Sequence, residues 1–178
     1  MQLRTLLSGF LTSVLYPMWL VAGAGDYLCH RRTHIERTSG ITESWLHVAQ
    51  FASIAIIFVA AVLLEITLAV LIAMIVAVIA HTVLSFIDVS YTMRHRHIST
   101  LEQHVHGLLD VIPIVAVGLL AILYWEEVSL ASGAPLRLKD EPLSRVQAGV
   151  LLASFGVLAG TPIFEEWFRT RRSGSMSA

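Results

Sequence analysis

Cysteine is nearly missing from this 178-residue chain: Cys29 stands alone, which rules out an internal disulfide and any multi-cysteine zinc or iron–sulfur site. Charge is scarce as well. Asp, Glu, Lys and Arg make up 14% of the residues against 56% hydrophobic, far from the roughly one quarter charged and one half apolar of a soluble domain. Twelve basic and thirteen acidic residues leave a net charge of −1, so no global field draws the chain to nucleic acid. Internal repeats, low-complexity tracts and a separate soluble domain are also lacking. What remains is a set of long apolar runs, and any metal here must rest on histidine and carboxylate.

A helix that crosses a bilayer needs ~20 mostly apolar residues, because hydrocarbon offers the backbone no hydrogen-bond partners. Five stretches meet that length, at about 7–27, 45–64, 67–87, 101–125 and 146–168. The chain is therefore expected to be an all-α, polytopic membrane helix bundle forming a single domain over 1–178. Pro17 marks a kink in the first span, and a tight turn near Glu65 must reverse the chain between the second and third. Thr100 with Gln103 reads as a capping box and Thr42 before Glu43 as an N-cap. Trp45, Trp125 and Trp167 fall near span ends, where indoles favour the interface. Residues 126–144, with Gly133, Pro135 and Pro142, read as the one long loop. Arg4, an apolar run and Ala22-Gly23-Ala24 resemble a secretory signal, but cleavage would discard a span, and an uncleaved helix is expected.

Five spans place the termini on opposite sides. Arg31, Arg32, Arg37, Arg94, Arg96, Arg169, Arg171 and Arg172 then share one side, and Arg4, Arg137, Lys139 and Arg145 the other. The richer side is the cytoplasmic one, which puts the N terminus outside. The compact pattern resembles that of small bacterial membrane proteins and implies an inner-membrane location.

All eight histidines gather on the basic side: His30, His34, His47, His81, His95, His97, His104 and His106. Residues four apart share a helix face, and this spacing joins acid to imidazole repeatedly. Asp26, His30 and His34 form one such series, Glu43 and His47 a second, and Glu102, His106 and Asp110 a third; His81 and Asp88 lie seven apart. With His104 beside His106, these eleven residues are the candidate metal ligands. An Asp at a span centre costs roughly 2.5–3.5 kcal/mol on insertion scales, and coordination offsets such a cost. His95 and His97, alternating with Arg94 and Arg96, read as a solvated or headgroup-facing loop. Glu165 and Glu166 read as a solvated helix end, and the fifth span as packing.

The run His30-Arg31-Arg32-Thr33-His34 resembles a histidine box of membrane di-iron hydroxylases and desaturases. The paired His-His boxes of those families are absent; Glu102-Gln103-His104-Val105-His106 and Glu43-Ser44-Trp45-Leu46-His47 stand in their place. The resemblance implies two metal ions, iron foremost, oxidation of a lipid or alkyl substrate, and a cytoplasmic electron donor. The residues alone leave manganese and zinc open, the latter as the centre of a lipid hydrolase. Bis-histidine haem ligation, a metal transporter or sensor, and a purely structural bundle are further alternatives.

Overall fold

The computed structural model describes residues 2–130, 136–139 and 143–176. They form a helical bundle in which five helices are long and apolar enough to cross a membrane. These are α1 (Gln2–Thr33), α2 (Gly40–Leu63), α3 (Leu68–Thr92), α4 (Thr100–Leu123) and, after the short α5 (Trp125–Leu130), α6 (Arg145–Gly174). Pro135 and Pro142 of the expected loop lie outside the described residues, as does Gly133. Next to them, 136–139 folds back on the end of α2, where Lys139 N–H donates to Leu63 O at 3.0 Å and Glu65 N–H to Arg137 O at 3.0 Å.

The caps sit close to, but not on, the residues the pattern suggests. Ser99 rather than Thr100 caps α4, its hydroxyl taking the Glu102 N–H while the Glu102 carboxylate reaches back to Ser99 N–H. Helix α2 starts at Gly40, so Thr42 is inside its first turn. The expected reversal at Glu65 is tight: Leu64 is extended, Thr67 N–H donates to Glu65 O at 2.9 Å, and the Thr67 side chain caps α3. Both Pro17 and Pro162 come one residue after a wide, π-helical stretch, Leu11–Leu15 and Phe155–Gly160. A proline clashes with the carbonyl four residues back, and the widened turn makes room for its ring.

Helix α2 packs most extensively on α3, α1 on α4, and α6 on α2. In the half of the bundle away from the histidines, Ile54, Ile57, Val70, Leu71, Met74 and Phe155 form the apolar core. Phe155 is its hub, with its ring parallel to Phe58 at 4.4 Å, Phe51 at 5.1 Å and Trp19 at 5.8 Å. Because the long helices alternate in direction, the ends of α1 and α3 and the starts of α2 and α4 meet at the other half.

His34 closes α1 in the left-handed region, with φ 52° and ψ 54°, its N–H bonded to His30 O. A β-carbon there costs roughly 1–2 kcal/mol that glycine avoids. His34→Gly should raise the thermal midpoint, with a gain of about 1 kcal/mol on the same grounds; a lower midpoint in a thermal melt of the detergent-solubilised variant would contradict this reading.

Candidate metal centre

Each long helix contributes to one buried polar layer, and helical rise explains how. At ~1.5 Å per residue, Asp26 and His47 lie about 10 Å inside the ends of α1 and α2, and His106 about 9 Å inside the start of α4. Asp88 is about 6 Å inside the end of α3 by the same measure. Spacing of four then stacks Asp26 under His30 and Glu43 over His47 on faces that point into the bundle. Asp26, His30, Glu43, His47, Asp88 and Glu102 are all buried, Glu43 to 1% exposure, and His106 nearly so.

The rings of His30 and His47 are stacked, their centroids 4.5 Å apart and their planes 3° from parallel. One carboxylate holds both. His30 Nδ1 bonds to Glu166 Oε2 at 2.8 Å and His47 Nδ1 to Glu166 Oε1 at 2.7 Å; Glu166 is 1% exposed and also accepts from Ser44 Oγ at 3.3 Å. A carboxylate only accepts, so each Nδ1 bears a proton, and by the same rule His47 Nε2 donates to Asp88 Oδ2 at 3.1 Å. An ion bound there would displace that second proton and take the Nε2 lone pair. Histidine ligands of metals are typically oriented in this way, through the ring nitrogen that does not bind the ion.

Around His30 Nε2 stand Glu102 Oε1 at 3.5 Å, Asp26 Oδ2 at 3.6 Å and Glu43 Oε1 at 3.8 Å. Around His47 Nε2 stand Asp88 Oδ2 at 3.1 Å and Glu43 Oε1 at 4.0 Å. His106 spans the two acids between, with Nδ1 3.6 Å from Asp26 Oδ1 and Nε2 3.8 Å from Asp88 Oδ2. Two donors at the usual ~2.1 Å from one ion are at most about 4.2 Å apart, and each of these separations is shorter. Three overlapping triads can hold an ion: Asp26 with His30 and His47, His30 with Glu43 and Glu102, and Glu43 with His47 and Asp88. Buried Asp26 Oδ1, Asp88 Oδ1 and His106 Nε2 make no hydrogen bond within the described residues. Such atoms are costly unless something occupies them, and a cavity of about 190 Å³ borders Asp88 and His106 together with His30, Glu43 and Glu102. The donor set fits a metal.

Arg96 reaches into this layer from the turn between α3 and α4. Its Nη2 donates to Glu43 Oε1 and Glu102 Oε1, each at 2.5 Å, and its Nε to Glu43 Oε2 at 3.3 Å. Burial pushes the guanidinium pKa down, and the bonds to Glu102 and Glu43 more than reverse that, so it is raised overall. Arg96 Nη2 occupies the space between Glu43 and Glu102, so an ion held by these two acids would have to displace it.

Seven of the eleven candidate ligands thus converge: Asp26, His30, Glu43, His47, Asp88, Glu102 and His106. His81 and Asp110 form a neighbouring pair, His81 Nε2 3.4 Å from Asp110 Oδ1, with Ser85 Oγ donating to Asp110 Oδ2 at 2.8 Å. Since α3 runs on to Thr92, His81 is about 16 Å deep by helical rise, further in than a span ending at 87 suggests. His34 and His104 do not join. His34 faces Glu36 at the surface at 3.3 Å, and His104 Nδ1 turns back to Thr100 O of its own helix at 2.7 Å. Two site residues escaped the sequence pattern. Arg96 was assigned to a solvated loop, and Glu166 to a solvated helix end on a span meant only for packing. The spacing rule relates residues within a helix and is blind to a side chain that arrives alone from a turn or from the fifth helix.

No family model matches the chain, and neither does any curated protein or solved structure. The chemistry of the site is therefore the available guide. Because Glu166 orients both imidazoles, Glu166→Gln presents a donor to one Nδ1 and should weaken metal affinity ~10–100-fold. Glu165, paired instead with Arg31 at 3.0 Å, serves as the control. Calorimetric titration of both Gln variants with Mn²⁺ should separate them, and equal affinities would refute the orienting role.

Proposed function

We propose that this chain is a membrane metalloprotein with a dinuclear centre, iron being the best match, that oxidises a lipid or alkyl substrate. The observation that carries this reading is the sharing of Glu43 between two ion positions whose imidazoles hang from one carboxylate. His30, Glu43 and Glu102 would hold one ion and Glu43, His47 and Asp88 the other, with Asp26 and His106 beside both. With the imidazoles neutral, as ligands are, five acids against one guanidinium leave four negative charges, which two divalent ions balance. Mixed carboxylate and imidazole ligation suits iron or manganese, and helix bundles supplying glutamates and histidines from facing helices are an established frame for di-iron centres.

Bound iron supplies the activation of dioxygen. The overall hydroxylation balances as one C–H bond, dioxygen, two electrons and two protons giving C–OH and water, with the electrons drawn from a cytoplasmic donor. The chain's own residues fix the imidazoles through Glu166 and keep the layer buried. The arginine excess at the histidine end supports a cytoplasmic location for the site. Haem fits less well, because the parallel rings of His30 and His47 at 4.5 Å leave no width for a macrocycle between them.

Elemental analysis with an optical spectrum on detergent-purified protein tests this reading. Two irons per chain are expected, falling in Glu43→Gln and His47→Ala. A Soret band, or metal content unchanged in both variants, would overturn it. Colourless protein holding only zinc and cleaving esters would replace it with the hydrolase.

A further inference from the structure

The half of the bundle opposite the metal layer is not filled by its own side chains. A cavity of about 240 Å³ lies between α1, α2, α4 and α6, lined by apolar groups such as Ile57, Phe58, Leu120 and Phe155. A second cavity, of about 70 Å³, borders Asp26, His30, His47 and His106. Trp19 and Ile54 line both, so these two side chains stand at the boundary between the cavities, the neck that a chain reaching the metal layer would have to pass. At the far end of the larger cavity is Lys139, a half-buried cation whose Nζ donates to Ala61 O at 2.6 Å. Tyr16, Ser8 and Thr12 border the same cavity from α1.

From the level of Ala61 to that of His47 is about 21 Å by helical rise, more than half of the ~30 Å hydrocarbon thickness. That is a long alkyl chain's reach, apolar along its length, with a cation at one end and the acid–imidazole layer at the other. The two cavities, of about 240 and 70 Å³, suit one alkyl chain and not the two of a phospholipid. An anionic head beside Lys139 would pair with an ammonium whose pKa burial lowers.

We infer that this cavity binds a single-chain amphiphile with an anionic head, a long-chain carboxylate, head at Lys139 and chain end at the metal layer. This rests on the dinuclear reading for its chemistry but not for its binding. It means that the head sits at the membrane face opposite the metals, and that the carbon presented to them is remote from the carboxylate.

Photo-crosslinking with palmitate carrying a diazirine either beside the terminal methyl or beside the carboxylate tests the orientation. The terminal probe should label Leu109, Leu158 or Ile163, which border the smaller cavity, and the other probe Thr12, Leu120 or Leu143 near Lys139. The reverse order, or labelling confined to lipid-facing residues, would overturn the inference. Ile54→Trp narrows the neck and should abolish terminal labelling with metal content intact. Lys139→Gln should weaken palmitate binding several-fold and leave hexadecane binding unchanged. Equal loss for both probes, or competition by a two-chain phospholipid as effective as by palmitate, counts against it. Metal analysis of the same samples reports separately on the centre itself, so a metal-free protein that still orders the probes would sink only the oxidase reading.

Discussion

The whole arrangement hangs on the problem of five carboxyl groups buried together at one end of an apolar bundle. An isolated carboxylate in a low-dielectric interior is prohibitively costly, and stays there only if paired, hydrogen-bonded or metal-bound. Asp26, Glu43, Asp88, Glu102 and Glu166 face three imidazoles and one guanidinium. Every long helix is tied to this layer, so the polar contacts at one end and the stacked aromatics around Phe155 at the other fix the bundle between them. The two halves have opposite characters: one is held by specific, directional contacts, and the other by shape and apolar area, with space left over.

Much of the frame was legible before any coordinates. Long apolar runs give five spans because the backbone has no alternative in hydrocarbon, and a four-residue acid-to-histidine spacing has only one helix face to fall on. Their burial follows from the same alternation of helix direction that gathers all eight histidines to one end. Boundaries were less legible. The helices run several residues past the apolar stretches, to Thr33 and Thr92, because polar residues beyond an apolar stretch can continue the helix against its neighbours. The choice between Ser99 and Thr100 as a cap turned on a single residue of register.

What could not be read was the side chain that acts by itself. Glu166 follows Glu165 in sequence, yet consecutive residues on a helix point about 100° apart, and that rotation sends one to Arg31 at the surface and the other between two imidazoles. Arg96 sits among arginines and histidines that do remain exposed, His95 resting on the Tyr91 ring at 4.1 Å. Only the path of the turn between α3 and α4 distinguishes it. His34 and His104 illustrate the converse: His34 keeps the four-residue spacing, but the left-handed turn that ends α1 carries it off the helix face, and His104, two residues from His106, turns back on its own helix.

Arg96 has a further consequence for how such a site is made. Its guanidinium already bridges Glu43 and Glu102, so the chain carries a resident placeholder cation for the acids it buries. The bundle is spared the mutual repulsion of an unfilled acid cluster during insertion and folding. An ion entering the centre would exchange one positive group for another inside a finished scaffold, and Arg96, held in the short turn between α3 and α4, would stay within reach of both acids.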